Sequence, residues 1–153
     1  MSSNVIELFG AARWHVLVAH HNNYVRHVLR TLIETSDIIL QEVADGEAAL
    51  EVLEVSRFDL LVLELDLPVH DGVTLMQLHR VLLAHERVRV EPPAVIFTLA
   101  AEVRSSATLT DHLLLLGTAG FIDDAPRSDV ASIVAAVLEA RAAQILAEKP
   151  SVA

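Results

Sequence analysis

Ionisable side chains stand at the ends of several short apolar runs in this sequence. His20 and His21 follow the first run, Glu64 ends the third, and Asp124 follows the last. Because imidazole and carboxylate groups suit Zn²⁺ and other transition metals, His20, His21 and Glu64 form one candidate metal site, with Asp66 or Asp124 as a fourth ligand. Neighbouring residues of a strand point to opposite faces, which argues against one ion shared by both histidines, although residues after the end of a strand can escape this rule. A pH-responsive site is a further alternative, since a histidine beside Glu64 can gain a proton in the physiological range.

The elements that must position these residues alternate along the chain. Apolar, β-prone runs predict strands at 14–19, 37–43, 58–67, 94–97 and 119–122. Helical periodicity predicts helices over 25–33, 48–55, 71–84, about 103–116 and 130–145. Asn22 or Asn23 can cap the first helix and Ser128 the last, and Gly117 is a candidate C-terminal cap of the fourth. Such alternation indicates parallel strands joined by right-handed helical crossovers. The fold class is therefore α/β, a three-layer (βα)5 doubly wound parallel sheet with the flavodoxin-like strand order. In this fold, ligands bind beyond the carboxyl ends of the strands.

Motifs at those strand ends resemble a known family. Glu64 is followed four residues later by a Pro-x-x-Asp-Gly turn, Pro68 to Gly72. Thr98 lies in a run that two prolines precede, and residues 117–121 read Gly-Thr-Ala-Gly-Phe. In this order, over about residues 14–145, the sequence resembles the bacterial response-regulator receiver (CheY-like) domain. The resemblance implies a non-enzymatic module of two-component, phosphorelay-type signalling that acts through protein partners.

The sequence departs from the family pattern at the residues that carry its chemistry. Receivers hold Mg²⁺ with an acidic pair, and His20-His21 stands at that position. Their phosphoacceptor Asp aligns with Glu64, and their lysine aligns with Asp124. Mg²⁺ needs hard oxygen ligands, and phosphoryl transfer needs a cation to offset charge. We therefore expect an atypical or pseudo-receiver, with a degenerate pocket of His20, His21, Glu64, Thr98 and Asp124, no Mg²⁺ or other cofactor, and no acyl phosphate at Glu64.

Two states of this degenerate pocket remain open. Glu64 could imitate a phosphorylated Asp within reach of Thr98 and hold an active-like state, although a carboxylate carries less charge than a phosphate. Alternatively, the pocket no longer switches. Thr98 and Phe121 match the family's coupled switch positions, but Phe121 also fits a core aromatic residue.

The resemblance also points to an interaction surface. Receivers commonly pair through the fourth helix, fifth strand and fifth helix. Residues 113–116 are four consecutive leucines, so at least one of them is hard to bury in a single domain. The last helix is rich in alanine, which permits close helix approach. We expect a homodimer through this face, with an ordinary buried helix as the alternative.

Composition limits the remaining function classes. The chain has 153 residues, of which 53% are hydrophobic, with 11 Lys+Arg against 21 Asp+Glu and no cysteine. The acidic balance argues against nucleic acid as a partner. No uninterrupted apolar run reaches the ~20 residues that span a bilayer, so we expect no membrane and a cytoplasmic location. We predict an N-terminal extension at 1–13, which does not read as a secretory signal, a domain at 14–147, and a tail at 148–153.

Overall fold

The computed structural model describes residues 13–86, 90–127 and 129–148. Five strands alternate with five helices, and one helical turn, Ala101–Arg104, precedes the fourth helix. The strands are β1 Trp14–Ala19, β2 Ile38–Val43, β3 Leu60–Glu64, β4 Ala94–Leu99 and β5 Gly120–Asp123. The helices are α1 Asn23–Ile33, α2 Gly46–Val55, α3 Gly72–Ala84, α4 Ala107–Leu115 and α5 Val130–Glu148.

The strands form one parallel sheet in the order β2-β1-β3-β4-β5. This is the flavodoxin-like order that the alternation predicts, so the expected fold class is confirmed. The carboxyl ends of the parallel strands meet at one edge, where Glu64 of β3 lies opposite Thr98 of β4. The topology therefore brings the ionisable residues of the strand ends together.

Two apolar layers cover the two faces of the sheet. One contains Ala49, Leu53, Leu75 and Met76 from α2 and α3, and the other contains residues of α1 and α5. All five residues of β3 are buried, as the continuous apolar run predicts for a central strand covered on both faces. The site residues at its end are thus carried by the most enclosed strand of the sheet.

Several element boundaries differ from the sequence prediction. The predicted helix at 103–116 is two elements, because Ser106 caps a new helix by accepting the Leu109 N–H. The strand predicted at 58–67 is only Leu60–Glu64. Gly117, at φ +93°, follows α4 as the predicted left-handed cap. The proposed cap Ser128 lies outside the described residues.

Helix α5 qualifies the expectation about membranes. By length and composition alone, its residues Val130–Ala147 could span a bilayer. Polar residues such as Glu139 and Arg141 interrupt this stretch, so it does not form an uninterrupted apolar run. In the structure, its residues Val130, Val134 and Leu138 pack into the hydrophobic core. Only 22% of this stretch is buried, and many of its exposed positions are alanines. The absence of a membrane partner and the predicted domain limits stay predictions.

Candidate functional site

A buried imidazole follows the end of β1. His20 is 1% exposed, and its Nδ1 accepts the N–H of Asn22 at 3.0 Å. A neutral imidazole has one donor and one acceptor nitrogen, so the ring hydrogen must lie on Nε2. That Nε2 lies 3.2 Å from Asp124 Oδ1 and 3.7 Å from Glu64 Oε2. His20 therefore donates from β1 to the residue that follows β5.

The Glu64 carboxylate is held by a single neighbouring residue. Glu64 is 4% exposed, and its Oε1 accepts the backbone N–H of His21 at 2.9 Å. Its Oε2 lies 2.6 Å from Nδ1 of the same histidine, which must carry the hydrogen because an ionised carboxylate only accepts. The His21 side chain is 57% exposed, so it covers Glu64 from the solvent side. Both carboxylate oxygens are thus engaged with the β1–α1 loop.

Thr98 lies beside this network without joining it. It is 1% exposed and pairs with Glu64 in the register of β3 and β4. Within the described part of the chain, its hydroxyl has no hydrogen-bond partner. The contact between Glu64 and Thr98 that an active-like mimic would use is therefore not formed. Phe121, the second switch-like position, is half-buried and packs against the α2–α3 apolar layer.

An arginine that the sequence analysis overlooked fixes the loop of the two histidines. Arg26 Nη1 donates to the carbonyl of His20 at 2.7 Å and to that of His21 at 3.2 Å. Its Nη2 donates to Asn23 Oδ1 at 2.9 Å, and its Nε lies 3.6 Å from Glu42. A cation near the start of a helix is unfavourable with respect to the helix dipole. The position of Arg26 near the start of α1 was therefore the signal in the sequence that this arginine has a specific role.

The geometry bears on metal binding in two opposed ways. One potential ligand atom from each of His20, His21 and Glu64 lies within 4.8 Å of the others. Strand alternation does not separate the two histidines, because both follow the end of β1, where the rule does not hold. However, a histidine that binds metal through one nitrogen normally donates from the other. The Nδ1 of His20 accepts instead, so its Nε2 presents a hydrogen where an ion would need a lone pair.

The site also lacks the cationic residue expected of phosphoryl chemistry. Asp124 is held by its backbone N–H, which donates to Leu99 O at 2.9 Å. Its carboxylate lies beside His20, at the position where the resembled family has a lysine. Thus a histidine donor after β1 and a carboxylate acceptor after β5 join the two strand ends. The resembled family has the opposite arrangement, with a carboxylate after β1 and a lysine after β5. Asp66 is exposed and, among the residues that the structure describes, makes no hydrogen bond or ion pair with this network.

Comparisons with known proteins agree with this architecture. Residues 16–123 match the family described as "Response regulator receiver domain". A search of curated proteins found no match. Among solved structures, the signal receiver domain of a putative Luxo repressor protein from Vibrio parahaemolyticus has a TM-score of 0.74 and 21% identity, covering 90% of this chain and 99% of that one.

Two further solved structures show the same fold. The REC domain of AraT, a response regulator from Geobacillus stearothermophilus, has a TM-score of 0.66 and 21% identity, covering 89% of this chain and 98% of that one. A chain of the Saccharomyces cerevisiae co-crystal of the phosphotransfer protein Ypd1 with the receiver domain of Ssk1 has a TM-score of 0.71 and 17% identity. It covers 90% of this chain and 94% of its own.

Proposed function

Because the chain belongs to the response regulator receiver family, a family of signalling modules that interact with protein partners, we propose that it is a receiver that signals without phosphorylation. The observation that carries the proposal is the engagement of Glu64. Both of its oxygens accept hydrogen from His21, so neither is presented as a free nucleophile. A phosphoryl group on either oxygen would displace the hydrogen bond at that oxygen, in a crevice that also contains the carboxylate of Asp124.

Loss of Mg²⁺ is part of the same proposal. Mg²⁺ demands near-octahedral oxygen coordination, usually through carboxylates and water. In this crevice the Nε2–H of His20 lies between the carboxylates of Glu64 and Asp124, at 3.7 Å and 3.2 Å. An ion that used both carboxylates would have to displace this donor from a buried position. The residues present therefore do not fit Mg²⁺, and we assign no catalytic step to the site.

Intact mass spectrometry after incubation with acetyl phosphate and Mg²⁺ tests the proposal. We expect no added phosphoryl mass on the natural chain. A variant carrying His20→Asp, His21→Asp, Glu64→Asp and Asp124→Lys restores the residue types of the resembled family and serves as the positive control. A labile phosphoryl group on the natural chain, lost with Glu64→Gln, would overturn the proposal.

The metal-responsive alternative is tested separately. Calorimetric titration with Zn²⁺ should show no binding tighter than micromolar, because His20 offers a hydrogen to the site. His21→Ala should then leave the titration unchanged. Tight binding that His21→Ala abolishes would favour the alternative that uses His20, His21 and Glu64.

We propose that the output is carried by protein contacts at the face of α4, β5 and α5. Two adjacent leucines support this assignment, since Leu114 is 52% exposed and Leu115 is 86% exposed. Exposed leucines that lie together on one surface are typical of an interaction site. A second copy of the chain is the proposed partner, and the non-enzymatic, cytoplasmic role follows the same interpretation.

A further inference from the structure

An apolar groove lies on the face of the sheet that α1 and α5 cover, and it includes the first residues of β1 and β2, at the opposite end of the strands from Glu64. It runs between α5 and the end of α1 and has a volume of about 310 Å³. One wall includes Trp14, Leu32 and Ile38, and the other includes Ala131, Ala135 and Ala142. The alanines of this wall leave room for a chain to approach the helix closely. Such a groove leaves apolar surface in contact with water unless something covers it.

The chain itself supplies an apolar segment next to this groove. Residues 1–12 lie outside the described part of the chain, and residues 5–9 of that stretch read Val-Ile-Glu-Leu-Phe. They are joined through residues 10–13 to Trp14, which lines the groove. The attachment therefore holds the segment at a high effective concentration close to the groove.

The dimensions of the segment and the groove agree. Five extended residues span about 16 Å at 3.3 Å per residue. Along α5, the eleven steps from Ala131 to Ala142 rise about 16 Å at 1.5 Å per residue. In an extended segment, Ile6 and Leu8 would share one face, and Glu7 would lie on the other. The apolar pair can thus face the groove while the carboxylate stays in solvent.

We propose that residues 5–9 dock in this groove as an extended segment, with Ile6 and Leu8 against α1 and α5. The inference does not depend on the phosphorylation state of the crevice. It assigns the N-terminal segment a structural role, since it covers the apolar side of the long helix α5. A second copy of the chain or a lipid surface in the groove are the competing occupants.

The single tryptophan reports on the groove. Trp14 is the only tryptophan of the chain and lines the groove directly. In a chain without residues 1–12, we expect its emission to shift to longer wavelength and the urea midpoint of unfolding to fall. Ile6→Ser with Leu8→Ser should reproduce both changes in the full-length chain, whereas Ser2→Ala with Ser3→Ala should not. Unchanged emission and midpoint in the truncated chain would overturn the proposal.

A substitution in the groove wall provides an independent test. Ala135 is exposed and lines the groove, so Ala135→Glu should lower the urea midpoint of the full-length chain by blocking the segment. The same change should have little effect after truncation, because contacting residues give non-additive effects. Ala143→Glu is the matched control, since Ala143 is exposed on the same helix outside the groove. Equal effects of Ala135→Glu in both backgrounds would contradict docking.

Disulfide trapping identifies the occupant, because the natural chain has no cysteine. Leu8→Cys with Ala135→Cys should form an intramolecular disulfide on mild oxidation, and Leu8→Cys with Ala143→Cys should form far less. Covalent dimers as the main product would assign the groove to a second copy and overturn the proposal. Binding of the full-length chain to phosphatidylcholine–phosphatidylglycerol vesicles that Ala135→Glu abolishes would overturn it in favour of a lipid surface.

Discussion

At the scale of single residues, the crevice depends on His20 and Asp124, whose donor and acceptor roles are exchanged relative to the resembled family. His20 replaces a carboxylate and Asp124 replaces a lysine, yet the two still meet, with 3.2 Å between Nε2 and Oδ1. The buried Nε2–H needs an acceptor, because an unpaired buried donor carries its full desolvation cost. The pair therefore joins β1 to β5 by a hydrogen bond from a histidine whose tautomer Asn22 sets.

Removal of the acceptor should destabilise the domain. We expect Asp124→Ala to lower the free energy of unfolding by about 1–3 kcal/mol, since the Nε2–H of His20 would be left buried without a partner. Asp124→Asn keeps an acceptor oxygen and should restore most of the loss. Urea unfolding measures both changes.

The neighbouring aspartate gives a matched control for this prediction. Asp123 is about as exposed as its partner Arg104, at 41% each, and lies 3.5 Å from it. Exposed ion pairs contribute little, so Asp123→Ala should cost less than about 1 kcal/mol. Equal losses for Asp123→Ala and Asp124→Ala would show that the hydrogen bond from His20 does not stabilise the fold.

The sequence predicted which residues meet in the crevice, but not how they are paired. Parallel strands end at one edge, which is sufficient to bring His20, Glu64 and Asp124 together. The pairing depends on the ring orientation of His20, which a backbone N–H from Asn22 determines. No residue pattern reports that contact. The role of His21 in covering Glu64 depends in the same way on a loop geometry that Arg26 fixes.

At the scale of elements, α2 and the β3–α3 loop approach each other at a glycine. The N–H of Gly46 donates to Pro68 O at 2.8 Å. A Cβ added at Gly46 would lie 2.3 Å from the carbonyl oxygen of His70, which is backbone and cannot rotate away. The Asp45-Gly46 turn signal in the sequence therefore marks a close contact between two elements, and Asp45 caps α2.

We expect Gly46→Ala to lower the free energy of unfolding by about 1–3 kcal/mol, the range typical of overpacking. The matched control is Gly120→Ala in β5, where the nearest atoms to an added Cβ lie at 3.8 and 3.9 Å, an ordinary contact. Thermal unfolding should show a clear loss for the first variant and a small change for the second. Similar melting temperatures for Gly46→Ala and the natural chain would contradict the close approach.

Helix α3 shows why the inner face of an element was only partly predictable. The apolar residues Val73, Met76 and Val81 of the predicted helix 71–84 lead one to expect Val81 on the inner face, but Val81 is 56% exposed. The buried positions are Gly72, Leu75, Met76 and His79, so a polar side chain lies on the inner face of the helix. Because histidine is usually taken as a surface residue, the apolar pattern predicts an inner face that includes Val81, whereas the observed inner face includes His79. In the same way, Ser106 divided a predicted helix because a cap can form within an apolar stretch.

The buried His79 predicts a dependence of stability on pH. Burial lowers the pKa of His79 from its ordinary value of 6.5. Well above pH 6.5 neither the folded nor the unfolded state binds this proton, so the titration of His79 has no effect on stability there. As the pH falls below that value, the unfolded state binds the proton first, and the folded state loses stability.

Urea unfolding between pH 7 and pH 5, compared with His79→Met, measures this contribution. We expect the variant to lose less stability than the natural chain on acidification. Exposed His112→Gln controls for the removal of one histidine and should retain the natural acid-side loss. If His79→Met and the natural chain lose stability in parallel, His79 does not titrate differently in the two states.

At the scale of the whole molecule, the residues that the structure describes form two notable apolar surfaces. One is the groove beside Trp14, and the other contains Leu114 and Leu115 on α4. The four-leucine run of the sequence predicted that at least one leucine would be hard to bury, and Leu113 alone is fully buried. The charge of −10 limits non-specific association, so the surface of Leu114 and Leu115 is the preferred site for contact with a second molecule. Function in this molecule is therefore expected at its surfaces more than in its crevice.

The leucine surface leads to the last prediction. If the chain forms a dimer through α4, Leu114→Gln with Leu115→Gln should raise the dissociation constant at least about tenfold, because a buried leucine contributes ~1.5–3 kcal/mol. Both side chains are exposed in the single chain, so its unfolding free energy should change little. Light scattering over a concentration series measures the association. Val55→Gln is the matched control, since Val55 is 83% exposed on α2, away from this face. A monomeric natural chain, or a dimer equally weakened by Val55→Gln, would contradict pairing through α4.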